Sequence, residues 1–221
     1  MSENEDILYI EDTKKRKLYY RFTPAAIASN FIPLIVILDD ADKAEERNFE
    51  YKMWNVLTPI DKYGSEQGGT AWLGEKENFY VKDLLQELIS QIADEHECEE
   101  HIYLYGSGMG GYGAILHGML CKANAIYAHL PQIRLEETSP SDREEYDLTN
   151  FLNTEDSYPI FYLCDDIDPD KSNVANDTTY FMEACKKHDI RVHLNFCENS
   201  QGDENTRIKN VLDTFERMIS G

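Results

Sequence analysis

Positive charge is what this sequence has least of. Its 21 Lys+Arg stand against 42 Asp+Glu, a formal net charge of −21, and a surface of that sign repels polyphosphate and anionic lipid. Nucleic acid and membrane surfaces are therefore excluded as expected partners. Long apolar stretches are missing too: the longest, Ile32 to Leu38, falls well short of the roughly 20 residues that cross a bilayer. The opening residues Met1 to Asp6 are acidic, where a secretory leader is basic and then apolar, so a cytoplasmic location is expected. Cysteine is sparse and unpatterned. Cys98, Cys121, Cys164, Cys185 and Cys197 are odd in number and include no C-x-x-C pair, which predicts reduced thiols without a disulfide framework or a zinc site. Repeats, low-complexity tracts and Pro/Gly/Ser linkers are absent as well, and 221 residues fit one core. A single domain over residues 1–221 is the expectation.

What the chain does contain is an ordered alternation of strand and helix patterns. Ile7–Glu11 and Leu18–Phe22 flank the basic stretch Lys14 to Lys17 and predict an antiparallel hairpin. Pro33–Leu38 is the continuous branched run of a strand buried on both faces, and a strand over Tyr51–Leu57 follows. Val81, Leu84, Leu85, Leu88, Ile89 and Ile92 keep helical spacing within Asn78–His96. After them come strand Ile102–Tyr105, a helix from Met109, strand Ala125–His129, strand Ile160–Cys164, a helix over Thr178–Lys187, strand Val192–Cys197 and a last helix with Ile208, Val211, Leu212 and Phe215 on one face. Alternation of this kind demands crossover connections and a mostly parallel sheet with helices on both faces.

The most informative turn is Gly106-Ser107-Gly108-Met109-Gly110. It has the strand, tight turn and helix of a nucleophile elbow, G-x-S-x-G, whose outer glycines let strand and helix pass close together. Gly106 and Gly110 meet that steric demand, but the nucleophile position holds Gly108. Ser107 is a weak substitute on sequence grounds, because Tyr105 and Met109 flank it where small residues are needed. Gly108 to Gly113 also satisfies G-x-G-x-x-G, yet it follows a late strand rather than a first one and lacks the lysine of a phosphate loop.

In strand order and in this turn the chain resembles the α/β-hydrolase family. The resemblance implies a three-layer sandwich around an eight-stranded, mostly parallel sheet. Gly106 to Tyr112 together with Ala128-His129-Leu130-Pro131-Gln132 is similar to capsular polysaccharide biosynthesis and accessory secretion acetyltransferase-like proteins, which carry serine where this chain has Gly108. The resemblance places the triad acid at Asp165, Asp166 or Asp168 and the histidine at Gln201, whose amide cannot take a proton from a hydroxyl. It places the pocket wall at Met109, Tyr112, Asp39, Asp40 and Trp72, with Asp39 and Asp40 beginning the loop that would supply an oxyanion donor. The six histidines, His96, His101, His117, His129, His188 and His193, all precede that position and read as structural or surface residues. Asp166, Asp168 and Asp170 imitate the spacing of a calcium loop, but Lys171 stands where that loop needs glycine, so no metal and no cofactor are expected.

With nucleophile and base both replaced, the expectation is a catalytically silent homologue. It would serve as a binding or scaffolding subunit in bacterial surface-glycan or capsule biosynthesis or in glycoprotein export, with a protein partner and a small glycan or acyl ligand. The alternative is an esterase or O-acetyltransferase using Ser107 or a base the sequence does not reveal.

Overall fold

The computed structural model describes residues 7–27, 32–39, 49–62, 69–70, 72–75, 78–135, 144–153, 157–166, 177–197 and 203–220. Ten strands and four helices carry the described fold. They are β1 (Leu8–Glu11), β2 (Lys17–Thr23), β3 (Leu34–Leu38), β4 (Asn55–Ile60), β5 (Gly69–Thr70), β6 (Gly74–Glu75), α1 (Tyr80–Glu95), β7 (Ile102–Ser107), α2 (Met109–Leu120), β8 (Ala125–His129), β9 (Ile160–Asp166), α3 (Asp177–Lys187), β10 (Val192–Cys197) and α4 (Glu204–Ser220). Eight strands form one sheet in the order β1-β2-β4-β3-β7-β8-β9-β10, and β5 and β6 pair separately. β1 with β2 and β2 with β4 are antiparallel; every later neighbour is parallel. The fourth strand starts later than the sequence suggests because the Trp54 N–H closes a turn onto the Tyr51 carbonyl.

Alternation along the central strands sorts side chains to two faces. Leu34, Val36, Leu38 and Leu104 join α1, α2 and Phe181 of α3 in one core; Ile35, Ile37, Tyr103 and Tyr105 join Ile208, Val211, Leu212 and Phe215 of α4 in the other. Helices therefore cover both faces, the architecture that the alternation implies. Among the described residues, no helix is long and apolar enough to cross a membrane. One cysteine expectation needs correcting: Cys164 of β9 is disulfide-bonded, while Cys98, Cys121 and Cys185 are free. Spacing rules find local pairs, and no other cysteine lies near Cys164 in sequence.

The turn from β7 into α2 fixes one edge of the sheet. A Cβ on Gly106 would collide with the Gly110 carbonyl, and one on Gly110 with the Leu38 carbonyl. Strand, helix and the neighbouring β3 backbone thus touch at two glycines where no other residue fits.

Candidate active site

Gly108 caps α2 at φ 58° and ψ −119°, a backbone state that side chains rarely adopt. The elbow is formed, and glycine occupies its apex. Ser107, one residue earlier, is not part of that apex but the last residue of β7. It faces the opposite way, toward α4.

The register builds this second face in layers. β7 and β8 pair Tyr103 with Ala125, Tyr105 with Tyr127 and Ser107 with His129. At the base, Tyr103 packs edge-on to Trp54, with ring centroids 5.0 Å apart, and against Phe215, at 4.9 Å. Above them Tyr105 and Tyr127 stack with centroids 5.9 Å apart and planes 11° from parallel. At the carboxyl edge Ser107 and His129 stand side by side, both partly exposed, with Ser107 Oγ 3.3 Å from His129 Nδ1. Of the rings beneath, Tyr103 and Tyr105 are buried and Tyr127 is partly exposed.

The first turns of α4 close the site from the side. Arg207 Nη1 lies 3.5 Å from the same His129 Nδ1. A guanidinium only donates, so in the tautomer that carries its proton on Nε2 the Nδ1 lone pair is the acceptor that Arg207 and the Ser107 hydroxyl share. The charge of Arg207 also reaches the Tyr105 hydroxyl, which donates to Glu204 Oε1 at 3.3 Å. Burial, then the charges of Glu204 and Asp39, push the Tyr105 hydroxyl well above its ordinary range against the pull of Arg207. That phenol stays protonated at neutral pH.

The free thiols among the described residues can be set aside as nucleophiles. Burial pushes the Cys98 thiol up to about 11 and those of Cys121 and Cys185 up to about 12, so thiolate is scarce at neutral pH. Among the described residues, no group of three or more His, Cys, Asp or Glu could hold a metal ion.

The remaining sequence candidates are distributed as follows. Met109 is partly exposed at the start of α2, and Asp39 is buried at the end of β3. Tyr112 is fully buried, its hydroxyl donating to the Glu145 carbonyl at 2.7 Å. Trp72 is buried, held by its N–H on Asp61 Oδ2 at 2.6 Å and its carbonyl on His117 Nε2 at 3.0 Å. Asp165 is nearly buried and follows Cys164, the register partner of His129, so by alternation its side chain projects to the other sheet face. Asp40, Asp168 and Gln201, with the side chain of Asp166, lie outside the described residues. The sequence reading gave His129 a structural or surface role and did not single out Arg207. A signal existed: Tyr103-x-Tyr105-x-Ser107 and Ala125-x-Tyr127-x-His129 both end a strand on a polar residue in the same phase.

No protein-family model matches the chain, and no curated protein matches it by sequence. Solved structures do match. An S-formylglutathione hydrolase from Agrobacterium tumefaciens is similar at a TM-score of 0.69 and 15% identity, over 95% of this chain and 93% of that one. Thermogutta terrifontis esterase 2, phosphoramylated by tabun, is similar at 0.68 and 13%, over 97% and 93%. A sugar hydrolase from Lactococcus lactis is similar at 0.67 and 16%, over 98% and 99%. The fold is therefore that of the α/β hydrolases. These neighbours are esterases and hydrolases, which overturns the expectation of a catalytically silent homologue. The elbow apex carries no hydroxyl, and a serine and a histidine meet on the strands beside it.

Proposed function

We propose that the chain is a serine ester hydrolase in which Ser107 is the nucleophile and His129 the general base. The observation that carries this reading is the hydrogen bond from Ser107 Oγ to His129 Nδ1 at 3.3 Å, within the loose range that such pairs show before substrate binds. As Oγ bonds to the ester carbonyl carbon, its proton passes to Nδ1. The tetrahedral intermediate then expels the alcohol, which leaves with that proton. Water, deprotonated by the same nitrogen, breaks the acyl-serine and releases the acid. A sugar hydroxyl in place of water would make the reaction an O-acyl transfer.

The test is covalent labelling followed by kinetics. A fluorophosphonate probe is expected to attach at Ser107, and Ser107→Ala is expected to lose labelling and short-chain esterase activity by about a hundredfold or more, the usual contribution of an activated nucleophile and its base. His129→Gln should reduce both while leaving the urea midpoint nearly unchanged. Labelling mapped elsewhere, or full activity in Ser107→Ala, would overturn the assignment.

A further inference from the structure

The eight-stranded sheet ends in two edges, and they are guarded unequally. β1, on one side, is four residues long; its Glu11 is held by Lys15, and the Lys17 ammonium covers the exposed Tyr9 ring at 3.6 Å. Brevity and charge of this kind keep an edge from pairing with another chain. β10, on the other side, runs Val192-His193-Leu194-Asn195-Phe196-Cys197, six residues without one Asp, Glu, Lys or Arg. In a chain of net charge −21, such a strand is where two copies approach with least repulsion. Phe196 is 61% exposed, more than any other large apolar side chain among the described residues.

Hydrogen-bond phase decides how two copies can meet there. The Phe161 N–H donates to the Arg191 carbonyl, and in a parallel ladder alternate residues turn their backbone groups to opposite sides. His193 and Asn195 thus face β9, whereas Val192, Leu194 and Phe196 turn their N–H and C=O groups to the open edge, where no described strand pairs with them. The side chains of these three also share one sheet face, and Val192 and Leu194 pack against the core on that side. A twofold axis along the sheet normal keeps each face continuous, so it pairs only residues of the same face. Centred on Leu194, it sets Val192 opposite Phe196, Leu194 opposite itself and Phe196 opposite Val192, and each of these pairs exchanges two N–H···O bonds. Centred on His193 or Asn195, it makes fewer such pairs within the strand. The Leu194 register also sets each exposed Phe196 against the other copy's Val192. Charge agrees with it: the amino end of β10 follows the exposed Lys186 and Lys187 and carries the exposed Arg191 beside Asp189, while the carboxyl end lies in register with Asp165 and Asp166 of β9. Antiparallel pairing brings these unlike ends together.

We propose that the open edge of β10 is a self-association surface, where two copies of this chain join antiparallel about Leu194 into one continuous sheet. The joint does not depend on the chemistry at Ser107.

Sedimentation equilibrium of the purified protein over about a hundredfold range of concentration should show monomer and dimer exchanging, since one strand pair makes a smaller joint than an obligate dimer uses. Phe196→Lys, a change at an exposed site, should weaken the dimer by about tenfold or more, with circular dichroism matching wild type. Amide hydrogen exchange reads the register in the wild-type protein itself. At high concentration the N–H groups of Val192, Leu194 and Phe196 should be protected, and dilution should release them while those of His193 and Asn195 stay protected by β9. A monomer at every concentration, a dimer that Phe196→Lys leaves unchanged, or a dimer in which those three amides exchange as fast as in the monomer would overturn the inference.

Discussion

His117 shows how burial assigns a protonation state. It is fully buried on α2, with Nε2 on the Trp72 carbonyl and Nδ1 2.8 Å from Gln86 Nε2. A carbonyl only accepts, so Nε2 carries the proton and Nδ1 accepts from the amide, which satisfies a neutral ring completely. Burial, aided by Lys82 and opposed by the Trp72 contact, holds its pKa down from 6.5 to about 4. Above pH 6.5 the ring is neutral folded or unfolded, and its contribution is fully present. Between 6.5 and 4 only the unfolded chain takes up the proton, so stability falls as pH falls, by about 3 kcal/mol across the window. Urea unfolding from pH 7 to pH 4.5 should show that slope, and His117→Gln should flatten it relative to wild type. Equal slopes in the two proteins would sink the assignment. The residues that looked catalytic by position and those that meet in space differ for a related reason. Along the sequence Ser107 is an occupant of the elbow, where its bulky neighbours disqualify it, whereas its neighbour in space is His129 on another strand.

At the level of elements, the hydrophobic patterns located the large strands and helices, because burial on one or two faces leaves a period in the sequence. Register left no such mark. Only the pairing of β7 with β8 turns two separate strand ends into a hydrogen-bonded serine and histidine, and pairing is decided by the whole sheet. The elbow was legible because it is a local steric problem: Gly106 and Gly110 are required by backbone contacts within one turn and with β3. Gly110→Ala is accordingly expected to cost about 3 kcal/mol or more, since the obstructing atoms are backbone and cannot rotate aside. A urea midpoint within error of wild type would show that β3 and α2 can separate after all. Gly108 stands apart from this pair. Its positive φ keeps the turn sharp, and it leaves the apex without a side chain.

Across the whole molecule the net charge of −21 acts as self-repulsion that the compact state must bear. The ion pairs among the described residues are local, and two of them join residues four apart. Salt screens distant repulsion more than contacts, with a screening length near 10 Å at about 0.1 M. The thermal midpoint should therefore rise as sodium chloride is raised from low to moderate concentration. A fall would mean that the local pairs outweigh the global field.

The pair on which the proposed activity rests is carried by regular structure: Ser107 and His129 belong to laddered central strands, and Arg207 beside them belongs to a helix packed on those strands. None depends on a connecting loop for its placement. Directed evolution of this protein can therefore randomise the surrounding loops while Ser107 and His129 hold their spacing, a freedom that is lost where such a pair is borne on loops.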